Sequence, residues 1–137
     1  IDVQLTEIDT SVSAARFCEG QFATFRPGPV AFEESGTEMR VSAYPALDQV
    51  VALADACRAA TVTITGHTDS SGNEYWNRQL SLARAEAVAA HLISRGIATE
   101  RLIVEGAGSS LPIADNATRY GRSINRRIDI QFTGTSD

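Results

Sequence analysis

Asp69 and Arg84 are the residues whose types and setting point most clearly to chemistry. Asn77, Leu80, Ser81, Arg84, Ala85, Val88 and Leu92 recur at helical spacing and form one continuous stripe. The lower half of that stripe is apolar and must face a core, yet Asn77 and Arg84 lie on the same line. A guanidinium on a core-facing stripe needs an anionic partner, because a dry, unpaired charge costs several kcal/mol. Asp69, on the polar loop leading into this helix, is the nearest protein candidate, so one reading is a structural Asp69–Arg84 pair. The other is that the two line a cleft and divide a zwitterion between them. Asp69 would then take an ammonium, while Arg84 and neighbouring backbone N–H groups take a carboxylate.

Other chemistry finds less support. His67 stands beside Asp69, but His91 lies inside the long helix and a third ligand is missing, so His67 reads as structural and neither metal nor cofactor is expected. Gly106-Ala107-Gly108 lacks the third glycine of a phosphate loop and opens no helix, which leaves a tight turn. No Ser, Cys or carboxylate pair has hydrolase spacing, although catalytic triads are spatial and an enzyme with unrecognised catalytic residues stays open as an alternative.

The elements that must position these groups are legible from periodicity. The segment before Arg26-Pro27-Gly28-Pro29 suggests an amphipathic helix through Val12, Ala15 and Phe17. Val30-Ala31-Phe32 reads as a short strand, and Pro45 opens a helix that carries Cys57 near its buried face. Thr61 to Thr65 alternates as a half-buried strand, and the polar loop 66–73 leads to a helix from about Glu74 to Arg95, stopped by Gly96. Arg101 to Glu105 reads as a strand, 106–118 as a loop, Arg119 to Asn125 as a helical turn, and Arg126 to Phe132 as the last strand. The expected fold is α+β, a β-α-β-α-β-β two-layer sandwich with both helices on one face of a mixed sheet. Strand parity puts Arg126 with Ile128, Ile130 and Phe132 on the helix-facing side and Arg127 with Asp129 and Gln131 on the other.

Composition sets the outer bounds. The 137 residues suit one domain with a single core, and residues 1–29 read as a helical extension packed on a domain of 30–137. All 12 basic residues are arginine against 17 acids, for a net charge of −5, which argues against a broad nucleic-acid surface. Arg119, Arg122, Arg126 and Arg127 cluster late in the chain, so a local anion site can exist inside an acidic protein. No segment reaches the roughly 18 apolar residues of a membrane helix, so any membrane link is expected through segments outside this chain. Cys18 and Cys57 fit either a disulfide in an oxidising compartment or two buried thiols.

Gly66-His67-Thr68-Asp69, the run Asn77 to Ala85, Gly106-Ala107-Gly108, Pro112, Asn116, Gly121-Arg122 and Asn125-Arg126-Arg127 together resemble the OmpA-like C-terminal domain. That family includes the peptidoglycan-associated lipoproteins and flagellar stator subunits, and the likeness extends from about Val30 to Phe132. It implies a non-enzymatic, periplasmic module associated with the outer membrane or cell envelope, which binds the meso-diaminopimelate of the peptidoglycan stem. Carried over residue by residue, it assigns ligand contact to Asp69, Arg84, Asn77 and Arg126, and more weakly to Thr68 and Ser71. Many members read Phe-Asp where this chain has Phe32-Glu33, and Glu33 keeps the charge with a longer reach. A periplasmic location in turn implies a Cys18–Cys57 disulfide. Some relatives contact other proteins through this fold, so a docking domain with a degenerate ligand site is a further alternative.

Overall fold

A computed structural model describes residues 2–33 and 36–134, with side chains from residue 13 onward. Helix α1 (Asp2–Thr24) leads into α2 (Tyr44–Ala56), strand β1 (Thr61–His67), helix α3 (Glu74–Ser94), strand β2 (Leu102–Gly108), helix α4 (Arg119–Asn125) and strand β3 (Arg127–Thr133). The sheet order is β2-β1-β3, with β1 parallel to β2 and antiparallel to β3. The fold is therefore α+β with a mixed sheet, as the sequence indicates.

Alternation explains the sheet. Val62, Ile64, Ile130 and Phe132 point to the helices, and the register pairs Val62 with Phe132 and Ile64 with Ile130. Against them α3 lays Ala85, Val88, Ala89 and Leu92, and α2 adds Leu47, Val50 and Ala54. Asn73 caps α3 by accepting the Trp76 N–H, and Gly96, at φ 99°, ends it in the left-handed conformation that glycine takes without strain. The C-terminal end of α2 is held by Arg101, which donates to the carbonyls of Ala54, Cys57 and Ala60.

Three expectations change. Val30-Ala31-Phe32 forms no strand among the described residues, only an isolated bridge between Phe32 and Met39. Gly106-Ala107-Gly108 is the end of β2 leading into a turn, with the Ser110 N–H donating to the Ala107 carbonyl and Gly108 at φ 57°, while Gly106 within the strand is there for packing. A Cβ on Gly106 would stand 2.6 Å from the Leu82 backbone nitrogen, and one on Gly66 would stand 2.1 Å from the Ser81 carbonyl oxygen. In α1, Phe17 is exposed and the buried side is set by Cys18 and Phe22 one turn apart, while the Val12 side chain lies outside the described residues. Phe22 stacks on Phe132, Phe25 meets the same ring edge-on, and Cys18 is bonded to Cys57.

Candidate functional site

Strand β1 delivers the site. Its last residue, His67, is followed by Thr68 and Asp69, both buried. The Thr68 N–H donates to the Gly108 carbonyl, so the chain stays tied to β2 as it leaves the sheet. Asp69 Oδ1 then accepts the Ser71 N–H at 2.7 Å, closing a turn between strand and helix. Asn77, one turn into α3, donates to the Ser71 carbonyl at 2.9 Å and braces the turn from the other side. Ser81, buried below, accepts the Gly108 N–H.

The carboxylate's ionic partner is not Arg84. Arg126 Nη1 donates to Asp69 Oδ2 at 2.6 Å, so of the two readings of Asp69 and Arg84 the direct structural pair is not formed. Geometry decides this: Arg126 leaves the end of α4 beside the β1 terminus, whereas Arg84 sits nearly two turns below Asn77 on α3. Burial pushes the Asp69 carboxyl up, but the Ser71 backbone N–H and Arg126 outweigh it, so Asp69 titrates below its ordinary 3.8 and is ionised at neutral pH. A carboxylate has about four lone-pair positions, and the Ser71 N–H, the Ser71 hydroxyl and Arg126 account for three, which leaves room for a further donor.

Arg84 is half-buried, donates Nε–H to the Gly36 carbonyl at 2.8 Å, and lies 5.2 Å over the Phe32 ring. Among the described residues no carboxylate pairs with it. Burial, and then the charge of Arg126, lower its affinity for its own proton. An incoming anion would offset both by favouring the charged guanidinium. Among the described residues one of its five guanidinium donors is used, and the terminal N–H groups have the geometry to take a carboxylate in bidentate fashion.

These groups share an open cleft of about 660 Å³, lined by Thr68, Asp69, Ser71, Asn77, Arg84 and Arg126 together with the apolar side chains of Val30, Phe32, Leu80 and Ile128. Six of the seven expected ligand residues thus come together. Glu33 does not: it is absent from the lining and faces Arg40 at 3.8 Å. Arg40, which sequence reasoning passed over, lines the cleft instead and donates Nε–H to the Phe32 carbonyl. The Phe32–Met39 bridge carries it there, and no local pattern marks that bridge. Of the late arginine cluster, Arg126 and Arg127 reach the cleft, while Arg122 is spent on the Asn116 carbonyl. Four arginines, Arg40, Arg84, Arg126 and Arg127, thus line the cleft with one acidic residue, Asp69, making it a cationic site in an acidic protein.

Arg127 also touches the cleft but spends its nitrogens elsewhere. Nε goes to Asp129, Nη1 to the Asn125 carbonyl and Nη2 to the Leu111 carbonyl, and its side chain is only 16% exposed. It is thus not the exposed surface charge its parity suggests. Parity itself holds, since Arg126 turns to Asp69 and Arg127 to Asp129. His67 is buried, with Nε2 3.0 Å from Asp129 Oδ2 but without the alignment of a full hydrogen bond, and Nδ1 is unpartnered. The described residues hold no cluster of three or more potential metal ligands. Asn125, fully buried, fixes the loop above the cleft by accepting the Ile113 and Ala114 N–H groups and donating to Ala114 and Asn116.

Comparison with known proteins follows the same lines. The sequence profile of the OmpA family matches residues 31–126. The peptidoglycan-binding protein ArfA of Mycobacterium tuberculosis is 44% identical over 103 residues, 75% of this chain and 32% of that protein. The chain thus spans about a third of the length of that relative. Among solved structures, the peptidoglycan-associated lipoprotein of Burkholderia pseudomallei superposes with a TM-score of 0.72 at 23% identity, covering 79% of this chain and 91% of that one. The cell wall anchor of the T6SS of Pseudomonas aeruginosa gives 0.67 at 26% identity, covering 88% and 97%.

Proposed function

The chain belongs to the OmpA family, and on that footing we propose that it holds the bacterial cell wall non-covalently by gripping the peptide stem of peptidoglycan. The observation that carries this reading is Arg84, a half-buried guanidinium that no described carboxylate pairs, facing the same cleft as the ionised Asp69. Opposite charges held apart in one cleft suit a zwitterion. The free end of meso-diaminopimelate is such a group: its ammonium goes to the open lone-pair position of Asp69, and its carboxylate to Arg84 and Arg126. The side chains of Phe32 and Leu80 flank the connecting methylenes. Asn77, Thr68 and Ser71 hold the turn and present its backbone. The domain is taken as residues 30–137 with 1–29 as an extension, a periplasmic binding module without catalytic role that anchors a larger envelope protein.

Purified sacculi test the first level: wild-type protein should sediment with them, and Arg84→Ala should stay in solution while melting within about 1 kcal/mol of wild type. Calorimetry with two soluble tripeptides tests the second. The diaminopimelate form should bind, and the form with lysine at the third position, which lacks the zwitterionic end, should bind at least about tenfold more weakly, or about 1.4 kcal/mol. Equal affinities would remove diaminopimelate from the proposal, and new muropeptide products would favour an enzyme.

A further inference from the structure

Trp76 and Tyr75 open α3 with their rings in edge-to-face contact at 5.1 Å, and both are left largely to solvent, 66% and 62% exposed. Single exposed apolar side chains need no explanation, but two large rings braced edge-to-face on each other are not single, and the brace holds the exposed indole in place. Trp76 belongs to the same i, i+4 row of α3 as Leu80 and Arg84, and those two line the cleft. The indole therefore stands one turn above the cleft's apolar wall, with no core residue over it.

We infer that Trp76, braced by Tyr75, is a subsite for the glycan strand, stacking on the sugar to which the bound stem is joined; this rests on the stem-peptide reading above. Distances agree. Eight residues of helix separate Trp76 from Arg84, about 12 Å along the axis. A stem whose third residue sits on Arg84 spans about 10 Å of extended chain back to its sugar attachment. Chemistry agrees as well. A pyranose with equatorial substituents shows a flat face of axial C–H groups, and the electron-rich face of an indole attracts such hydrogens. The indole N–H adds one donor for a hydroxyl or acetamido oxygen. A bound stem and a stacked sugar would orient the glycan along the N-terminal half of α3.

The test compares two soluble ligands by calorimetry, the free diaminopimelate tripeptide and the same tripeptide carrying its disaccharide. Trp76→Ala, checked by thermal melting, should weaken the disaccharide form about tenfold, equal to about 1.4 kcal/mol, and leave the free tripeptide unchanged. Trp76→Phe should recover most of the loss. Equal losses on both ligands, or no loss on either, overturn the glycan subsite while the stem reading stands. A wild-type domain that binds neither ligand overturns both.

Discussion

At the scale of single residues, the adjacent arginines separate cleanly. Arg126 gives its guanidinium to Asp69 at the cleft mouth, whereas Arg127 has every nitrogen committed to Asp129, Asn125 and Leu111. Arg126→Ala should therefore weaken muropeptide binding by about 1–3 kcal/mol, the size of a charged hydrogen bond. Arg127→Ala should lower stability by a similar amount, since it strands carbonyls and a carboxylate, and change the affinity of the folded domain by less than about 0.5 kcal/mol. Titration of both variants with one muropeptide decides it, and a larger binding defect for Arg127 would refute the assignment. His67 makes a second prediction. Burial, and then Arg127, hold its pKa below the ordinary 6.5, with Asp129 offsetting only part of this. The unfolded chain then binds the proton more readily than the folded one, so stability is full above about pH 6.5 and falls as pH drops toward the depressed folded value. Melting curves of wild type and His67→Gln should converge in pH dependence near neutrality and separate toward pH ~5, where only the wild type carries the histidine penalty. Parallel curves throughout would show that His67 does not titrate differently on folding.

At the scale of elements, helix and strand meet more closely than side chains allow. Gly66 and Gly106 lie where β1 and β2 pass the backbone of α3, so an added methyl meets peptide atoms that cannot rotate away. Gly66→Ala should destabilise the domain by about 3 kcal/mol or more, seen as a shifted urea midpoint with little change in slope. A variant as stable as wild type would mean that α3 can slide. The same close approach separates what the sequence tells from what it hides. Periodicity marked both central helices and the three paired strands, because each buries one face and its pattern is local. Asp69, Arg84, Asn77 and Arg126 were legible as cleft residues through the family motif, and Arg84 also through its place on an apolar stripe. What was not legible depends on contacts between distant segments. The Asp69–Arg126 pair links positions 57 apart, the Phe32–Met39 bridge replaces a strand and brings Arg40 to the cleft, and Gly106 of β2 answers to the backbone of α3.

At the scale of the whole molecule, stability and binding are assigned to different parts. The cleft is walled by residues between Val30 and Ile128, and α1 contributes nothing to its lining among the described residues. Helix α1 is attached at the other end of β3, by the Cys18–Cys57 bond to the end of α2 and by Phe22 stacked on Phe132. The bond joins residues 39 apart, and in the chain-entropy account a loop of that length stabilises the fold by about 3–4 kcal/mol, less any strain. Without it, α1 keeps its aromatic contacts to Phe132 and the sheet keeps its register, because β1 and β3 pair independently of the helix. The double variant Cys18→Ser, Cys57→Ser should therefore melt about 10–15 °C lower. At about 25 °C, where several kcal/mol of stability still remain for a domain of this size, its affinity for sacculi should match the wild type. Denaturing thiol titration should first find no free thiol in the oxidised protein. If the variant lost wall binding while its circular dichroism stayed native, the disulfide would be positioning the cleft through α2, and the separation of anchor from grip argued above would be wrong.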